Sequence, residues 1–427
     1  MKGSLVHAIS WFDKVRPLPV YLMAASVPVS TALSSISKLL ILLMGAALLI
    51  NGLLRHRREA VLSQLRTPLL IVLMLLSLAL SLLYTTAPMG LALNDLAKYG
   101  KLLVIPLTLV LLRNRREATT ALGFYLCAQL FVIASSWLLS FGLSLPWVPD
   151  GQRTSPGTVY STYLDQSIMT AAFAAICWHL RHEFNGQMGA RIAILLAVLA
   201  TINVLFLLPG RSGHLAMIAV VSLALFWAIP RKWQPLAVFL PVLLVGLAMA
   251  ASPQFNTRLQ AVVSESRAYE ANRDVTTSSG QRLSFWHHSL QAIAEKPLTG
   301  WGVGSWNQQY IRLEDGKPYV DTAKVRNPHQ EFLMWGVQAG LLGMALMLGL
   351  LALLMRDSWR FAPATRHATH SIIAVLAVAC LFNSALFDAL IGNFFCILLG
   401  IFLALGLYAP PANALVNSPA ENSPLPA

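Results

Sequence analysis

The sequence predicts an all-α polytopic membrane protein of about twelve transmembrane helices, from three observations. The first is composition: 56% of the 427 residues are apolar and 11% are charged, with a mean hydropathy of +0.62, outside the range of ordinary soluble domains. The second is the recurrence of apolar windows of roughly 20 residues, the length a helix needs to cross a hydrocarbon core of about 30 Å. The third is the placement of Lys and Arg in short clusters between those windows. A net charge of +13 would suggest a nucleic-acid partner in a soluble protein. Scattered in this way it is a topology signal instead.

The windows fall at 18–36, 38–54, 67–84, 91–112, 118–143, 163–181, 190–208, 213–230, 234–251, 328–355, 367–387 and 390–409. Lys2, Lys14 and Arg16 precede the first, and no small-residue cleavage site follows it, so it reads as a span and not as a signal peptide. Arg55/Arg57/Arg58/Arg66, Arg113/Arg115/Arg116, Arg181/Arg191, Arg231/Lys232 and Arg356/Arg360/Arg366 then occupy every second connection. The short alternate connections hold only Lys38, Lys98, Lys101, Arg153 and Arg211. The positive-inside rule makes the first set cytoplasmic, with both termini. Residues 1–251 thus carry nine spans, 252–327 form one long extracytoplasmic loop domain, 328–409 carry three more spans, and the Pro-, Asn- and Ser-rich 410–427 read as a disordered cytoplasmic tail. Cys127, Cys177, Cys380 and Cys396 all lie in apolar segments without ligand spacing, so neither disulfide nor metal is expected.

The long loop holds the polar chemistry. In Arg326-Asn327-Pro328-His329-Gln330-Glu331-Phe332, Asn327 suits an N-cap and Pro328 the first helical position, which places His329 in the first turn of the tenth span. A helix N-terminus disfavours imidazolium and leaves a neutral ring able to take a proton from a sugar hydroxyl; the plainer alternative is an interfacial histidine bonded to a loop carbonyl. Arg211, in Pro209-Gly210-Arg211-Ser212-Gly213-His214, has Ser212 as a possible helix cap. Its fork of donors suits phosphate oxygens, unless it snorkels to headgroups. Arg282 opens a helix in which Phe285, Trp286, Ser289, Leu290 and Ile293 recur at helical spacing up to Lys296-Pro297. This reads as an interfacial amphipathic helix holding Arg282 over the outer mouth, with His287 and His288 on its polar face; a solvated arginine is the alternative.

The run Gly300-Trp301-Gly302-Val303-Gly304 lacks the strand-helix unit of a nucleotide site. It is a plain turn, or a turn whose Trp301 stacks on sugar. Asp388, at the outer end of the eleventh span, orients His329, binds an acceptor hydroxyl, or simply ends a helix. Asp95, Lys98 and Lys101 belong to a polar cavity or to a headgroup belt. Two arginines and a histidine on one membrane face, without metal ligands, suit transfer from a lipid diphosphate, the guanidiniums neutralising the departing group.

In order and spacing, Pro209 to Gly213, Gly280-Gln281-Arg282 with Trp286, Gly300 to Gly304, and Pro328 to Leu333 followed by Gly340-Leu341-Leu342-Gly343 resemble the O-antigen ligase and polymerase superfamily of bacterial envelope glycosyltransferases, over about 140 residues. The resemblance implies a GT-C-like helical fold in the bacterial inner membrane with a periplasmic active site and no cofactor. It implies that Arg211 and Arg282 hold an undecaprenyl-diphosphate-linked O-antigen donor; Lys101 and Trp301 are further candidate substrate contacts from the cavity and stacking readings above. His329 then activates the acceptor, and Asp388 resembles an acidic position of ligases. Gln330 and Gln338 depart from the Asn and Glu common there, so no acid acts at 338. The single large loop between spans nine and ten favours a ligase, metal-independent and inverting, that transfers glycan to lipid A-core oligosaccharide in lipopolysaccharide biosynthesis. O-antigen polymerase or protein O-oligosaccharyltransferase is the alternative within the superfamily. A membrane solute transporter or flippase is the alternative of another class.

Overall fold

The computed structural model describes residues 14–54, 60–148, 155, 157–184, 186–251, 253–314 and 326–408. Among them the chain forms helices and no strand. In order these are α1 (Leu18–Ser26), α2 (Thr31–Leu54), α3 (Ala60–Ser63), α4 (Thr67–Ser81), α5 (Met89–Tyr99), α6 (Val104–Leu111), α7 (Arg115–Ser140), α8 (Tyr163–His179), α9 (Gly186–Ile202), α10 (Arg211–Ala228), α11 (Leu240–Ala251), α12 (Pro253–Asn272), α13 (Ser278–Glu295), α14 (Trp306–Leu313), α15 (Glu331–Ser358), α16 (Pro363–Phe382) and α17 (Ala389–Leu407). Among the described residues seven segments are long and apolar enough to cross a membrane: Thr31–Gly52, Arg115–Ser140, Gly186–Leu207, Arg211–Ala228, Glu331–Ser358, Pro363–Phe382 and Ala389–Leu407. The other apolar windows fold as shorter or interrupted helices, so this multi-pass architecture is less regular than twelve equal spans.

Proline and capping residues account for the interruptions. α1 stops ahead of Pro28, which cannot donate to a preceding turn. Ser30 Oγ then accepts the Leu33 N–H at 3.2 Å at the head of α2. Lys38, expected in a connection, therefore lies half-buried inside α2. The window 91–112 is divided into α5, a 3-10 turn over Gly100–Leu103, and α6. The window 234–251 begins as a 3-10 helix containing Pro235 and becomes regular only in α11.

α17 and α8 form the centre. α17 is apolar all round apart from Asn393, as suits a helix surrounded by others, and it packs on α6, α7 and α16. α8 buries Ala171, Ala172, Ala174 and Ala175 and packs most closely on α10 and α9; small side chains allow this approach. At Gly213 of α10 a Cβ would stand 2.0 Å from Ser167 Oγ of α8, so only hydrogen fits.

The two ends of the bundle differ. At one, Arg16 pairs with Glu117 at 2.8 Å, Arg115 with Glu183 at 2.6 Å, and Arg360 donates to the Gln64 carbonyl at 3.1 Å. At the other, residues 253–314 of the expected loop fold as α12, α13 and α14, with α13 and α14 against α15 and α12 against α13. α13 starts one turn before Arg282, because Thr277 Oγ1 accepts the Gly280 N–H at 3.1 Å. Its buried face is Phe285, Ser289, Ala292 and Ile293, whereas Leu290, assigned to that face from spacing, is 56% exposed. Lys2, Arg55/Arg57/Arg58, Arg153, the part of the loop at 315–325 and the tail at 410–427 lie outside the described residues.

Candidate functional site

The site is built around a break in α15. Ala339 and Gly340 leave helical geometry, Gly340 at φ +65°, a region that a Cβ disfavours. The break frees carbonyls of the preceding turn, and the Gly300 to Gly304 turn fills them. Trp301 N–H donates to the Val337 carbonyl at 2.8 Å, and Gly302 N–H to that of Gln338 at 3.0 Å. Gln338 Oε1 accepts the Gly304 N–H at 3.2 Å while its Nε2 donates to the Met334 carbonyl. A neutral amide does both jobs here, so Gln338 is a clamp on this turn. Trp301 itself is engaged: its Nε1 donates to the Ala292 carbonyl at 2.8 Å, and Lys296 and Arg312 lie 4.0 and 4.8 Å from its ring centroid.

His329 stands just ahead of α15, not in its first turn. Gln330 is the N-cap, its Oε1 accepting the Leu333 N–H at 2.5 Å. Asn327 instead closes an Asx turn by accepting the His329 N–H at 2.9 Å. His329 is thereby held at φ +52°, an uncommon and strained state for a residue with a Cβ. Its ring lies 6.1 Å from Phe285, centroid to centroid, within an aromatic group that includes Trp306 and Tyr310.

The ring's hydrogen bonds define its tautomer. Nδ1 lies 3.1 Å from Asn383 Oδ1, and that oxygen also accepts the Ser384 N–H at 3.0 Å. An oxygen accepting from a backbone amide is not the amide nitrogen, so Nδ1 carries the proton and donates. Nε2 is left with its lone pair and makes no hydrogen bond to the described residues. Burial lowers the His329 pKa from its ordinary value, as does the charge of Arg282; the Asn383 hydrogen bond and Asp388 oppose this. The ring is neutral at neutral pH.

Beside it is a cavity of about 280 Å³ between the N-terminus of α10, α12, α13 and the end of α16. Leu215, Leu259, Val262, Leu283, Trp286 and Phe382 make most of its wall apolar, and Arg211 and Arg282 are its cations. Trp286 Nε1 donates to the Pro328 carbonyl at 3.1 Å, tying the wall to the His329 turn. Arg211 is the first residue of α10, with Gly210 as N-cap, so Ser212 is inside the helix and does not cap it. The Arg211 guanidinium donates to Ser279 Oγ at 2.8 Å and to Glu265 Oε1 at 3.4 Å. Glu265 also accepts the Ser279 N–H at 3.0 Å. Arg282 has no hydrogen-bond or ion-pair partner among the described residues, and burial together with the like charge of Arg211 lowers its pKa. An anion bound between the two guanidiniums relieves both effects.

The other expected site residues lie apart from this cavity wall. Lys101 is buried, its Nζ donating to the Phe387 carbonyl at 3.3 Å and to that of Asp388. It belongs neither to a headgroup belt nor to the cavity. Asp388 is exposed at the head of α17, near enough for its charge to act on His329, but the orienting hydrogen bond comes from Asn383. Asp95 pairs with Lys98 at 3.2 Å.

Sequence reasoning missed Asn383, Glu265 and Glu331. Glu331 is fully buried: Oε1 accepts from Tyr99 Oη at 3.0 Å and Trp335 Nε1 at 3.1 Å, and Oε2 from the Leu386 and Phe387 N–H groups at 2.9 and 3.2 Å. Among the described residues no group of three or more His, Cys, Asp or Glu side chains is arranged to hold a metal ion. In comparisons with known proteins, residues 195–348 match the family described as O-antigen ligase. That segment contains Arg211, Arg282 and His329 and is O-antigen ligase-like. No curated protein matches the chain.

Proposed function

We propose that this O-antigen ligase-like membrane protein is an inverting, metal-independent glycosyltransferase that moves O-antigen from undecaprenyl diphosphate to lipid A-core oligosaccharide. The active site would face the periplasm from the inner membrane. The observation that carries the reading is the pairing of an apolar cavity holding two guanidiniums with a histidine whose Nε2 is bare. A polyprenyl chain fits an apolar wall and a diphosphate fits two arginines. His329 Nε2 removes the proton from the acceptor hydroxyl, whose oxygen bonds to the anomeric carbon as the bond from that carbon to the diphosphate oxygen breaks. The diphosphate leaves with the electron pair, and Arg282 and Arg211 stabilise its growing charge. The partners are the lipid-linked donor, the lipid A-core acceptor and the surrounding membrane lipids.

The test is transfer by purified protein in the presence of a chelator, with lipid-diphosphate glycan as donor and lipid A-core as acceptor. His329→Ala is expected to lower transfer by about 10²- to 10⁴-fold, and Arg282→Gln by about 10²- to 10³-fold. Normal transfer by either folded variant sinks the mechanism. Lengthening of the glycan on its carrier, without lipid A-core product, would make the protein a polymerase. A protein that moves the glycan lipid across the bilayer without transfer would be a flippase.

A further inference from the structure

A second charged concavity lies at the opposite end of the bundle, where the last turn of α15 meets the turn between α3 and α4. It measures about 710 Å³ and is lined by Arg66, Arg356, Arg360, Met355 and Trp359. The carboxylate of Asp357, next to Arg356 in the chain, is fully buried. Its Oδ2 accepts the Arg66 N–H, the Thr67 N–H and the Thr67 hydroxyl, each at 2.8 Å, so it caps α4. Arg356 reaches the other oxygen only at 3.8 Å, with its own side chain 56% exposed. Arg360 donates one N–H to the Gln64 carbonyl at 3.1 Å. Among the described residues three guanidiniums thus line one hollow, with Arg356 held only loosely by the buried Asp357, and an anion in the hollow would be drawn by all three.

The surroundings indicate its kind. Arg356 is in the last turn of a membrane-length helix, so the hollow opens at the level where headgroups lie. Trp359 is 64% exposed there, with Arg366 over its ring at 5.7 Å; an exposed tryptophan at a helix end is characteristic of the membrane-water boundary. Met355 supplies an apolar wall on the membrane side. We infer that this concavity binds the phosphate headgroup of an acidic phospholipid, with the glycerol and acyl chains running along Met355 and Trp359. A basic pocket between helices at a membrane boundary has the chemistry for this, and the inference is independent of the transfer reaction.

The test uses quenching of Trp359 fluorescence by bromine-labelled lipids in phosphatidylcholine vesicles, with Trp359→Phe to isolate its signal. Labelled phosphatidylglycerol should quench at lower mole fraction than labelled phosphatidylcholine. That preference should fall about fivefold for each of Arg356→Gln and Arg360→Gln. Arg231→Gln with Lys232→Gln, a control at the same end of the bundle, should leave it unchanged. Equal quenching by both lipids, or an equal loss in the control, overturns the inference. Displacement of phosphatidylglycerol by millimolar inorganic phosphate would show a free-phosphate site and overturn the assignment to lipid.

Discussion

At the scale of single residues, His329 depends on Asn383 for its chemistry. Asn383 Oδ1 holds the proton on Nδ1, and burial with Arg282 keeps the ring neutral. A base works in its deprotonated form, so a lowered pKa extends transfer to more acid pH, and activity is lost only as pH falls through it. Asn383→Asp keeps an acceptor at Nδ1 but adds a negative charge, which favours imidazolium. The acid limb of the rate profile should therefore move to higher pH with transfer retained. Asn383→Leu removes the one hydrogen bond that raises the pKa. Its limb should move to lower pH, and its plateau rate should fall because nothing selects the tautomer. A purely structural Asn383 would change the plateau and leave the limb in place, so the pH–rate profiles of the two variants decide the matter. The residue types Arg211, Arg282 and His329 could be singled out from sequence because each has a chemistry at membrane depth that is hard to explain otherwise. Asn383 gave no such signal, being an ordinary amide 54 residues from its partner.

At the scale of elements, the site rests on how α15 begins and where it breaks. Glu331 accepts four hydrogen bonds, from Tyr99 of α5, from Trp335 of α15 itself and from two backbone N–H groups of the α16–α17 connection, so it ties the start of α15 to both. Only an acceptor-only carboxylate satisfies four donors. Glu331→Gln turns an NH₂ toward two of them; even if Tyr99 rotates to accept, at least one buried donor is left unpaired, at a cost of about 1–3 kcal/mol. Glu331→Ala strands all four and should lower the thermal unfolding midpoint of purified protein further than Glu331→Gln. Two unchanged midpoints would show that this knot carries no stability. Hydropathy gave no warning of the knot, since a carboxylate at the edge of an apolar run reads equally well as solvated. Nor did it show the break at Gly340, because apolar residues continue through it on both sides. The Gly300 to Gly304 turn was legible as a turn, but its role as the plug for that break appears only once the two segments, 36 residues apart at both hydrogen bonds, are side by side.

At the scale of the whole molecule, the helical membrane class was legible because composition alone excludes a soluble core. The number and regularity of spans were not, because α5, α6 and α11 are apolar pieces shorter than a bilayer whose boundaries depend on Gly100, Pro235 and tertiary packing. The short connections nonetheless carry more cations at one end than at the other. Arg16, Arg66, Arg115, Arg181, Arg356, Arg360 and Arg366 lie at one end, and the cavity with Arg211 and Arg282 at the other. The positive-inside rule predicts that the first end is cytoplasmic, and the proposed transfer requires the candidate site to lie on the opposite side. Thiol labelling reads this directly. Cys177, Cys380 and Cys396 are buried, and Cys127 is exposed only along the apolar flank of α7, so Cys127→Ser provides a silent background. In that background Leu298→Cys, at a position 77% exposed just beyond α13, should react with a membrane-impermeant maleimide on intact spheroplasts. Gln187→Cys, at the exposed start of α9, should react only after permeabilisation. The reverse pattern would place Arg211, Arg282 and His329 in the cytoplasm, and no periplasmic transfer could then be ascribed to them.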